Sequence, residues 1–519
     1  MLAQQIKRLA SQTLIYGLGG LISRILAVLL LPLYTSYLHG RDYGRVETLT
    51  ALTAVLVVLL RLGISSAFFR FYFDAPQSGG RGSESSRPST PGLDGAAAKP
   101  PRLQTGIASD ASDLAYRVRV VRTSFWFTMA SATLGLAAGW IAAQPIADAL
   151  SLGHDQAWLV RAAFVGLWAQ LNYEQLTSLF RVEERPILFT IATLANLLIT
   201  VAATVVLVVH FHQRAMGVIV GNWIGTLAVY VVLLGYRRYQ LGLEFDRGLF
   251  RAMNRFGMPL VPAQLAIWTL NFADRVFIAK YKGQTEVGHY SIGVRIASAT
   301  LLLLTAFRLA WPAFAYSIED DREARRTYGY VLTYVVFVTC WASTGLALLA
   351  PWIVRLLTAR PEFYSGSRVV GLLSFGAAAW GAYLVVAIGV GRARFTRFNW
   401  VVTGAAALIN FGLCFALVPP YGMIGAGIAT VVSMTAMFVL MAAHAQRVYP
   451  VPYQWRRIAI VAGTAVALSA VARSLHVPLA GSIALALAYP LILLPLGFYL
   501  PAERRRLLAV GRRLVAAAR

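Results

Sequence analysis

Charge is the property that this sequence has least of. Only 13% of its 519 residues are charged and 58% are hydrophobic, whereas soluble globular domains carry about 25% charged residues. The mean hydropathy is +0.62. These values exclude an ordinary soluble domain and indicate an all-α membrane protein whose chain crosses the bilayer many times.

Cysteine and acidic residues are also scarce. Cys340 and Cys414 are the two cysteines, and both lie in apolar runs without a C-x-x-C spacing, so the sequence supports neither a disulfide framework nor a metal site. Lys and Arg number 47 against 22 Asp and Glu, giving a net charge of +25. The basic residues alternate with apolar runs instead of forming one stripe, so they indicate membrane topology and not nucleic-acid binding. We expect no cofactor.

Apolar runs of about 20 residues, each long enough for a helical span, recur along the chain. The first extends from about Leu14 to Leu33, which is too long for a signal-peptide core, so we expect it to remain as a span. Lys and Arg concentrate in alternate connecting segments, which predicts a cytoplasmic position for both termini and a multi-pass protein of the bacterial inner membrane. About fourteen transmembrane helices are predicted, near residues 13–37, 46–70, 122–144, 157–180, 186–210, 216–236, 257–279, 288–315, 327–350, 369–390, 398–418, 423–445, 458–474 and 479–500.

Polar segments divide this series of spans. Residues 75–115 are rich in Pro, Gly, Ser and Ala and cannot bury enough apolar surface to order themselves, which predicts a flexible cytoplasmic insertion. In the segment 241–256, Arg247, Arg251 and Arg255 recur every four residues, as in an amphipathic helix on an anionic membrane surface. The predicted division is an N-lobe at 1–240, an interfacial linker at 241–256, a C-lobe at 257–446, two further spans at 447–500 and a basic cytoplasmic tail at 501–519.

The two lobes carry similar junctions. The sequence L-H-G-R-D-Y-G-R follows the first run, and Y-K-G-Q-T-E-V-G-H-Y follows the seventh; each places two glycines around a polar turn before a long apolar helix. These similarities predict that spans 1–6 and 7–12 are two copies of one unit. An even number of helices in each copy would place the symmetry axis along the membrane normal.

The stretch from Gly257 to Pro312 carries charges where a membrane helix should have none. Asp274, Arg275, Arg295 and Arg308 lie within its apolar segments, and each such charge costs about 3 kcal/mol at a helix centre. Residues of this kind usually face a water-filled cavity. We therefore predict that this helical hairpin forms one wall of a cationic, substrate-binding cavity.

Charges also occur inside other spans. Arg24 and Arg61 lie deep in the first and second runs and are assigned to the same cavity, because a lipid-facing guanidinium is costly. The alternative for each arginine is a salt bridge that fixes helix packing. Glu174 and Asp274 are carboxylates within spans, which either bind a coupling ion or neutralise an arginine.

Three motifs carry a family resemblance. S-R-I-L-A-V-L-L-L-P-L-Y near the start, N-F-A-D-R-V-F-I in the middle and I-N-F-G-L-C-F-A-L-V-P-P-Y-G-M-I-G-A-G towards the end resemble the polysaccharide transporter family. These are the Wzx-type flippases of O-antigen and exopolysaccharide synthesis, in the multidrug/oligosaccharidyl-lipid/polysaccharide flippase superfamily. The resemblance implies two six-helix lobes with two additional helices.

The resemblance also implies a function. A flippase of this family moves an undecaprenyl-diphosphate-linked oligosaccharide from the cytoplasmic to the outer leaflet by alternating access. Its partners would be that lipid-linked oligosaccharide, anionic membrane lipids and the polysaccharide polymerase machinery. Guanidinium groups suit such a substrate because they stay charged and bind phosphate oxygens bidentately.

Three alternatives remain open at this point. A lipid II flippase of the same superfamily would share the architecture, but its early S-R-x-x-G-x-x-R-D pattern is absent. A drug/cation antiporter usually has about twelve spans and a less basic interior. A membrane glycosyltransferase or O-antigen polymerase would be an enzyme, and the acidic pairs Glu183-Glu184 and Asp320-Asp321 are the candidates for its catalytic groups. We expect a transporter and not an enzyme, since these pairs map to short inner loops with Arg neighbours.

Overall fold

Helices account for the regular structure in the computed structural model, which describes residues 26, 28–73, 106–153, 155–393, 395, 398–501 and 503–504. The prediction of an all-α polytopic membrane protein is confirmed. The α-helices are α1 Leu31–Tyr37, α2 Gly40–Arg61, α3 Ile64–Phe73, α4 Gly106–Ile141, α5 Ala143–Ala149, α6 Ala157–Val182, α7 Pro186–Val205, α8 Arg214–Arg237, α9 Arg247–Gly257, α10 Val261–Trp268, α11 Asp274–Lys282, α12 Gln284–Ser317, α13 Asp321–Leu357, α14 Ser367–Arg392, α15 Asn399–Val448, α16 Trp455–Ser474 and α17 Leu479–Ile492.

Each half of the chain has cores of its own. In the N-terminal half, one buried cluster forms around Phe164 and a second around Phe68 and Phe180. In the C-terminal half, the largest cluster contains Tyr328 and Tyr489 and joins helices α12 to α17. Because each half buries its own apolar side chains, the two halves are separate packing units, which we call the N-lobe and the C-lobe.

A shared apolar cluster and helix α9 are two of the connections between the lobes. Leu31 and Tyr43, from α1 and α2, are buried in one cluster with Ile292 and Phe363 of the C-lobe. The second connection is α9, which begins where the Asp246 carboxylate accepts hydrogen bonds from two backbone N–H groups of the first turn; such a cap stabilises a helix by about 1 kcal/mol. Helix α9 also packs against α3.

Helix α15 is a hairpin and accounts for two predicted spans. Gly422 inside it has φ +55°, a left-handed conformation that glycine adopts without strain. The Asn410 side chain donates to the Ser433 hydroxyl at 3.1 Å, although a straight helix would separate these residues by about 35 Å. The chain therefore reverses direction at Gly422, between the predicted spans 398–418 and 423–445.

Two other predicted spans are interrupted. The run 46–70 breaks after Arg61, since Leu62 has φ +47°, and it continues as α3. The run 257–279 consists of α10, a π-helical turn at Thr269–Ala273 and α11. Such π turns are frequent at functional sites because they release backbone groups from the regular hydrogen-bonding pattern.

Some predicted boundaries differ from the observed ones. Helix α4 begins at Gly106, inside the predicted insertion 75–115, because charged residues at its start solvate extra turns beyond the bilayer. Helix α17 ends at Ile492, short of the predicted 479–500. The residues of the insertion before 106, the tail from 505 onward and Arg24 lie outside the described residues.

Single helices that are long and apolar enough to cross a membrane can be counted among the described residues. Within the described part of the chain, eight helices are long and apolar enough to cross a membrane, or nine if the bent pair Asp113–Ile141 and Ala143–Ala149 is one span. The predicted count of fourteen is not confirmed. One reason is that α15 counts once although it folds back on itself, and another is that the broken run 257–279 yields no long helix.

Candidate functional site

The lobes touch most closely where α2 meets α12. A methyl group placed on Gly44 would overlap the Gln284 carbonyl oxygen, and one on Gly288 would overlap the Gly40 carbonyl oxygen. The Thr48 hydroxyl donates to Gln284 Oε1 at 2.8 Å. The absence of side chains at these glycines lets the two backbones come into contact, so this end of the lobe interface is closed. We call it the Gly44 seal.

About one helical turn after Gly44 in α2, one carboxylate of the N-lobe forms ion pairs with two arginines of the C-lobe. Glu47 Oε1 lies 2.9 Å from Arg295 Nη2, and Glu47 Oε2 lies 3.5 Å from Arg275 Nε. Glu47 and Arg275 are 9% and 5% exposed, so the pairs are shielded from solvent. Ion pairs in such surroundings persist only with good geometry, because removal of each charge from water costs several kcal/mol.

Asp274 completes this charged cluster. Its Oδ1 lies 3.2 Å from Arg275 Nη1, and the Tyr290 hydroxyl donates to its Oδ2. Arg275 Nη1 also donates to the Asn271 carbonyl at 2.8 Å, in the π turn before α11. Two carboxylates thus face two guanidinium groups, so the cluster of Glu47, Asp274, Arg275 and Arg295 is electrically neutral in this conformation.

Arg308 lies apart from the cluster, at the wall of a cavity inside the C-lobe. The cavity has a volume of about 440 Å³ and is also lined by Asp274, Tyr290 and Thr430. Arg308 is exposed, and the structure shows no carboxylate within ion-pair distance of it among the described residues. It is therefore available to a ligand in a way that Arg275 is not.

Arg61 and Glu174 form a pair within the N-lobe. Arg61 Nη2 lies 2.7 Å from Glu174 Oε2, with the two side chains 17% and 35% exposed. The amide of Gln170 donates to Glu174 Oε1 at 2.8 Å. Glu174 also lines an N-lobe cavity of about 240 Å³ together with Asn196 and Asn222.

The structure thus sorts the sequence-predicted residues into three groups. Asp274, Arg275 and Arg295 come together; Arg61 and Glu174 meet in the other lobe; Arg308 stands alone. Neighbouring residues on a helix point about 100° apart, so partners outside α11 were expected for Asp274 and Arg275. The two nevertheless pair with each other, and each also has such an outside partner.

Glu47 and Tyr290 are the residues that sequence reasoning missed. Glu47 follows the polar turn G-R-D-Y-G-R and lies within the apolar run 46–70. Its position inside a predicted span is the signal that could have identified it. Tyr290 gave no comparable signal, since a tyrosine near a helix end is ordinarily an interfacial anchor.

The acidic pairs considered for an enzyme have structural partners. Glu183 binds Arg237 bidentately, with distances of 2.6 and 2.7 Å. Asp320 caps the start of α13, and Asp321 lies 3.2 Å from Arg392 Nε. These contacts lie at helix ends and stabilise them.

Solved structures with the same architecture are flippases and transporters. One is the lipid II flippase MurJ in an inward closed conformation, with a TM-score of 0.67 and 12% identity over 92% of this chain and 97% of that chain. A second is an inward-facing multidrug resistance MATE family transporter of the MOP superfamily, at 0.61 and 12% over 87% and 95%. A third is the MATE transporter VcmN of Vibrio cholerae, at 0.54 and 12% over 86% and 98%. At this identity the likeness establishes the fold.

Sequence comparisons give two matches over part of the chain. An uncharacterized membrane protein of Methanocaldococcus jannaschii is 24% identical over 203 residues, which cover 38% of this chain and 39% of that protein. The chain therefore aligns with well under two thirds of this relative's length. The family described as polysaccharide biosynthesis protein matches residues 114–360. The match to this family agrees with the resemblance seen in the sequence, and the likeness to the MurJ and MATE structures shows the fold of a multi-pass membrane protein.

Proposed function

We propose that this protein is a flippase that moves an undecaprenyl-diphosphate-linked oligosaccharide from the cytoplasmic to the outer leaflet of the bacterial inner membrane, with both termini in the cytoplasm. The observation that carries the proposal is the pairing of Glu47 with Arg275 and Arg295. It joins the two lobes through groups that suit a phosphate as well as they suit a carboxylate. The family match supports a polysaccharide pathway, and the fold supports alternating access.

A diphosphate can take the place of Glu47. Its oxygens offer negative charge and hydrogen-bond acceptors to the guanidinium groups, as the carboxylate does. If the substrate binds Arg295 and Arg275, Glu47 loses its partners and the lobes lose one of the contacts that close the Gly44 seal. Substrate binding would thereby favour opening at this end, because a ligand shifts a conformational equilibrium by its difference in affinity for the two states.

The remaining arginines would bind the substrate at other points along its route through the protein. Arg308 lines the C-lobe cavity and would hold the phosphates when they have left the cluster, and Arg24 and Arg61 would act from the N-lobe. The carboxylates Asp274 and Glu174 act as counter-charges, since each lies within ion-pair distance of an arginine. A coupling ion at either carboxylate would have to displace that arginine first.

The test is a leaflet-exposure assay with a defined diphosphate-linked glycan in proteoliposomes. Arg295→Ala, Arg308→Ala and Arg24→Ala should lower transport, and Arg295→Lys should recover only part of it because lysine cannot bind bidentately. The matched control is Arg161→Ala, since Arg161 also lies in a span but packs over the rings of Trp140 and Trp158. Unchanged transport in the cluster variants would overturn the cavity assignment.

A lipid II flippase is the second candidate, favoured by the similarity to MurJ over 97% of that chain. The two functions differ in their cellular effect. Deletion of a polysaccharide flippase should abolish surface polysaccharide and spare cell-wall growth, whereas deletion of a lipid II flippase should stop growth. Transport of lipid II but not of the polysaccharide precursor by the proteoliposomes would decide for the second candidate.

A further inference from the structure

A third cavity lies away from the lobe interface, where the last two helices pack against the C-lobe. It has a volume of about 650 Å³ and is enclosed by the end of α13, the start of α14, the end of α16 and the start of α17. Arg355, Arg368 and Arg473 line it together with His476 and Trp352, and its described lining contains no carboxylate. We call it the α13–α16 cavity.

The three arginines of this cavity have no acidic counter-charge. Among the described residues, no Asp or Glu lies within 4.0 Å of their nitrogen atoms, whereas Arg61, Arg275 and Arg295 each have such a partner. Arg473 Nη1 donates to the Arg368 carbonyl at 3.1 Å, which holds these two residues together.

The position of this positive charge is unusual for a membrane protein. The ends of α13 and α16 and the start of α14 lie at predicted outer segments of the chain, where Lys and Arg are depleted. Three of the few outer arginines nevertheless converge on one concave site. The three arginines are exposed, and guanidinium groups repel one another when they converge, so their concave arrangement without a described carboxylate offers a site for an anion from outside the protein.

Exposed apolar residues adjoin the lining residues of the cavity in the chain. Leu356 is next to Arg355 in the chain and is 81% exposed, and Leu475 is next to His476 and is 70% exposed. Large apolar side chains at such exposure suit contact with lipid acyl chains. The site therefore combines cations for a phosphate with an apolar surface for the tails, and this combination distinguishes a phospholipid from a free phosphate ion.

We propose that the α13–α16 cavity binds the phosphate of an anionic phospholipid, with its acyl chains along Leu356 and Leu475. The bound lipid would neutralise Arg355, Arg368 and Arg473 and would hold α16 and α17 against the C-lobe. This site is separate from the charged cluster at the lobe interface and does not depend on the substrate proposed above.

The test measures binding of a fluorescent phosphatidylglycerol to the full-length purified protein in detergent micelles, by fluorescence anisotropy. The competitors are unlabelled phosphatidylglycerol, phosphatidylcholine with the same acyl chains and inorganic phosphate. The test variant is the double substitution Arg368→Gln and Arg473→Gln. The matched control is Arg214→Gln with Lys282→Gln, which removes two exposed cations from other predicted outer segments. A thermal unfolding curve of each variant establishes that it is folded.

We expect the test variant to bind phosphatidylglycerol about tenfold more weakly or worse, since it loses two charge-assisted interactions, and the control variant to bind as the wild type does. Phosphatidylcholine should compete poorly. Equal affinity in the test variant, or equal competition by phosphatidylcholine, would overturn the proposal. Displacement by inorganic phosphate at the same concentrations as by phosphatidylglycerol would show that the anion is a soluble one and would overturn the assignment to a lipid.

Discussion

Arg61 and Arg275 both lie in apolar helices and both have a carboxylate partner, but the partners come from different parts of the molecule. Glu174 belongs to the same lobe as Arg61, so the pair moves as one body when the lobes move. Glu47 belongs to the opposite lobe from Arg275, so the pair exists only while the lobes are in contact. The Arg61 pair thus depends on the folding of one lobe, whereas the Arg275 pair depends on the contact between the two lobes.

Replacement of Arg275 by Ala should lower the free energy of unfolding more than any other substitution in this comparison. It leaves Asp274 without an ion-pair partner and Glu47 with Arg295 alone, and loss of one member of a buried pair costs about 3–5 kcal/mol. Arg61→Ala removes a partly exposed pair and should cost about 1 kcal/mol or less. Denaturant unfolding in detergent measures both. Equal losses would show that the two pairs do not differ in the way the structure indicates.

Glu47→Gln should weaken the link between the lobes without removing the side chain. The loss of the charge on one hydrogen-bonding partner is worth about 1.5–3 kcal/mol, which is enough to shift a conformational equilibrium more than tenfold. Spin labels at His212 and Lys282, in a background without Cys340 and Cys414, should show longer distances than in the parent. Glu174→Gln is the control for the pair within one lobe, and a similar shift there would contradict the assignment.

Gly44→Ala tests the seal above the cluster. A methyl group at this position meets the Gln284 backbone, and overpacking of this kind costs about 1–3 kcal/mol. The closed arrangement should therefore become less populated, as judged from the same spin labels. Gly412→Ala is the matched control, because a side chain there meets nothing within 4 Å. If the distances between the spin labels in the Gly44 variant equal those of the closed parent protein, the lobes can shift to accommodate the methyl group.

Arg308→Ala should have the smallest effect on stability. The side chain is exposed and has no ion pair, so the free energy of unfolding should change by about 0.5 kcal/mol or less. Transport should fall nonetheless, if the residue receives the phosphates from the cluster. Unfolding and leaflet-exposure assays on the same preparation separate the two quantities. A loss of stability as large as that of Arg275→Ala would place Arg308 among the packing residues.

The location of the helices could be predicted because apolar length is a local property. The runs 186–210, 216–236 and 369–390 all lie within observed helices or their π-helical extension. The interruptions could not be predicted in the same way. The break after Arg61 brings Gly63 against the Gly257 backbone, and the π turn at Thr269–Ala273 brings the Asn271 carbonyl to Arg275; the apolar pattern of the runs shows neither contact.

The charged residues of the site could be identified, but their pairing could not. The sequence shows that Arg275 and Arg295 lie in apolar helices, and burial cost alone predicts that they need a counter-charge or water. Which of these they have depends on Glu47, more than 200 residues earlier in the chain. The sequence therefore led to the interpretation of a cationic cavity, because Glu47 lies too far away in the sequence to be assigned as a partner.

The contact of main chains at the Gly44 seal has a consequence for selectivity. A barrier made of touching backbones excludes every solute by size alone and does not discriminate among head groups. If the protein transports a lipid-linked glycan as proposed, recognition of that substrate takes place deeper, at Glu47 and the arginines, which can distinguish one head group from another. The protein would then prevent leakage with one set of residues and recognise its substrate with another. Either property could therefore change in evolution without loss of the other.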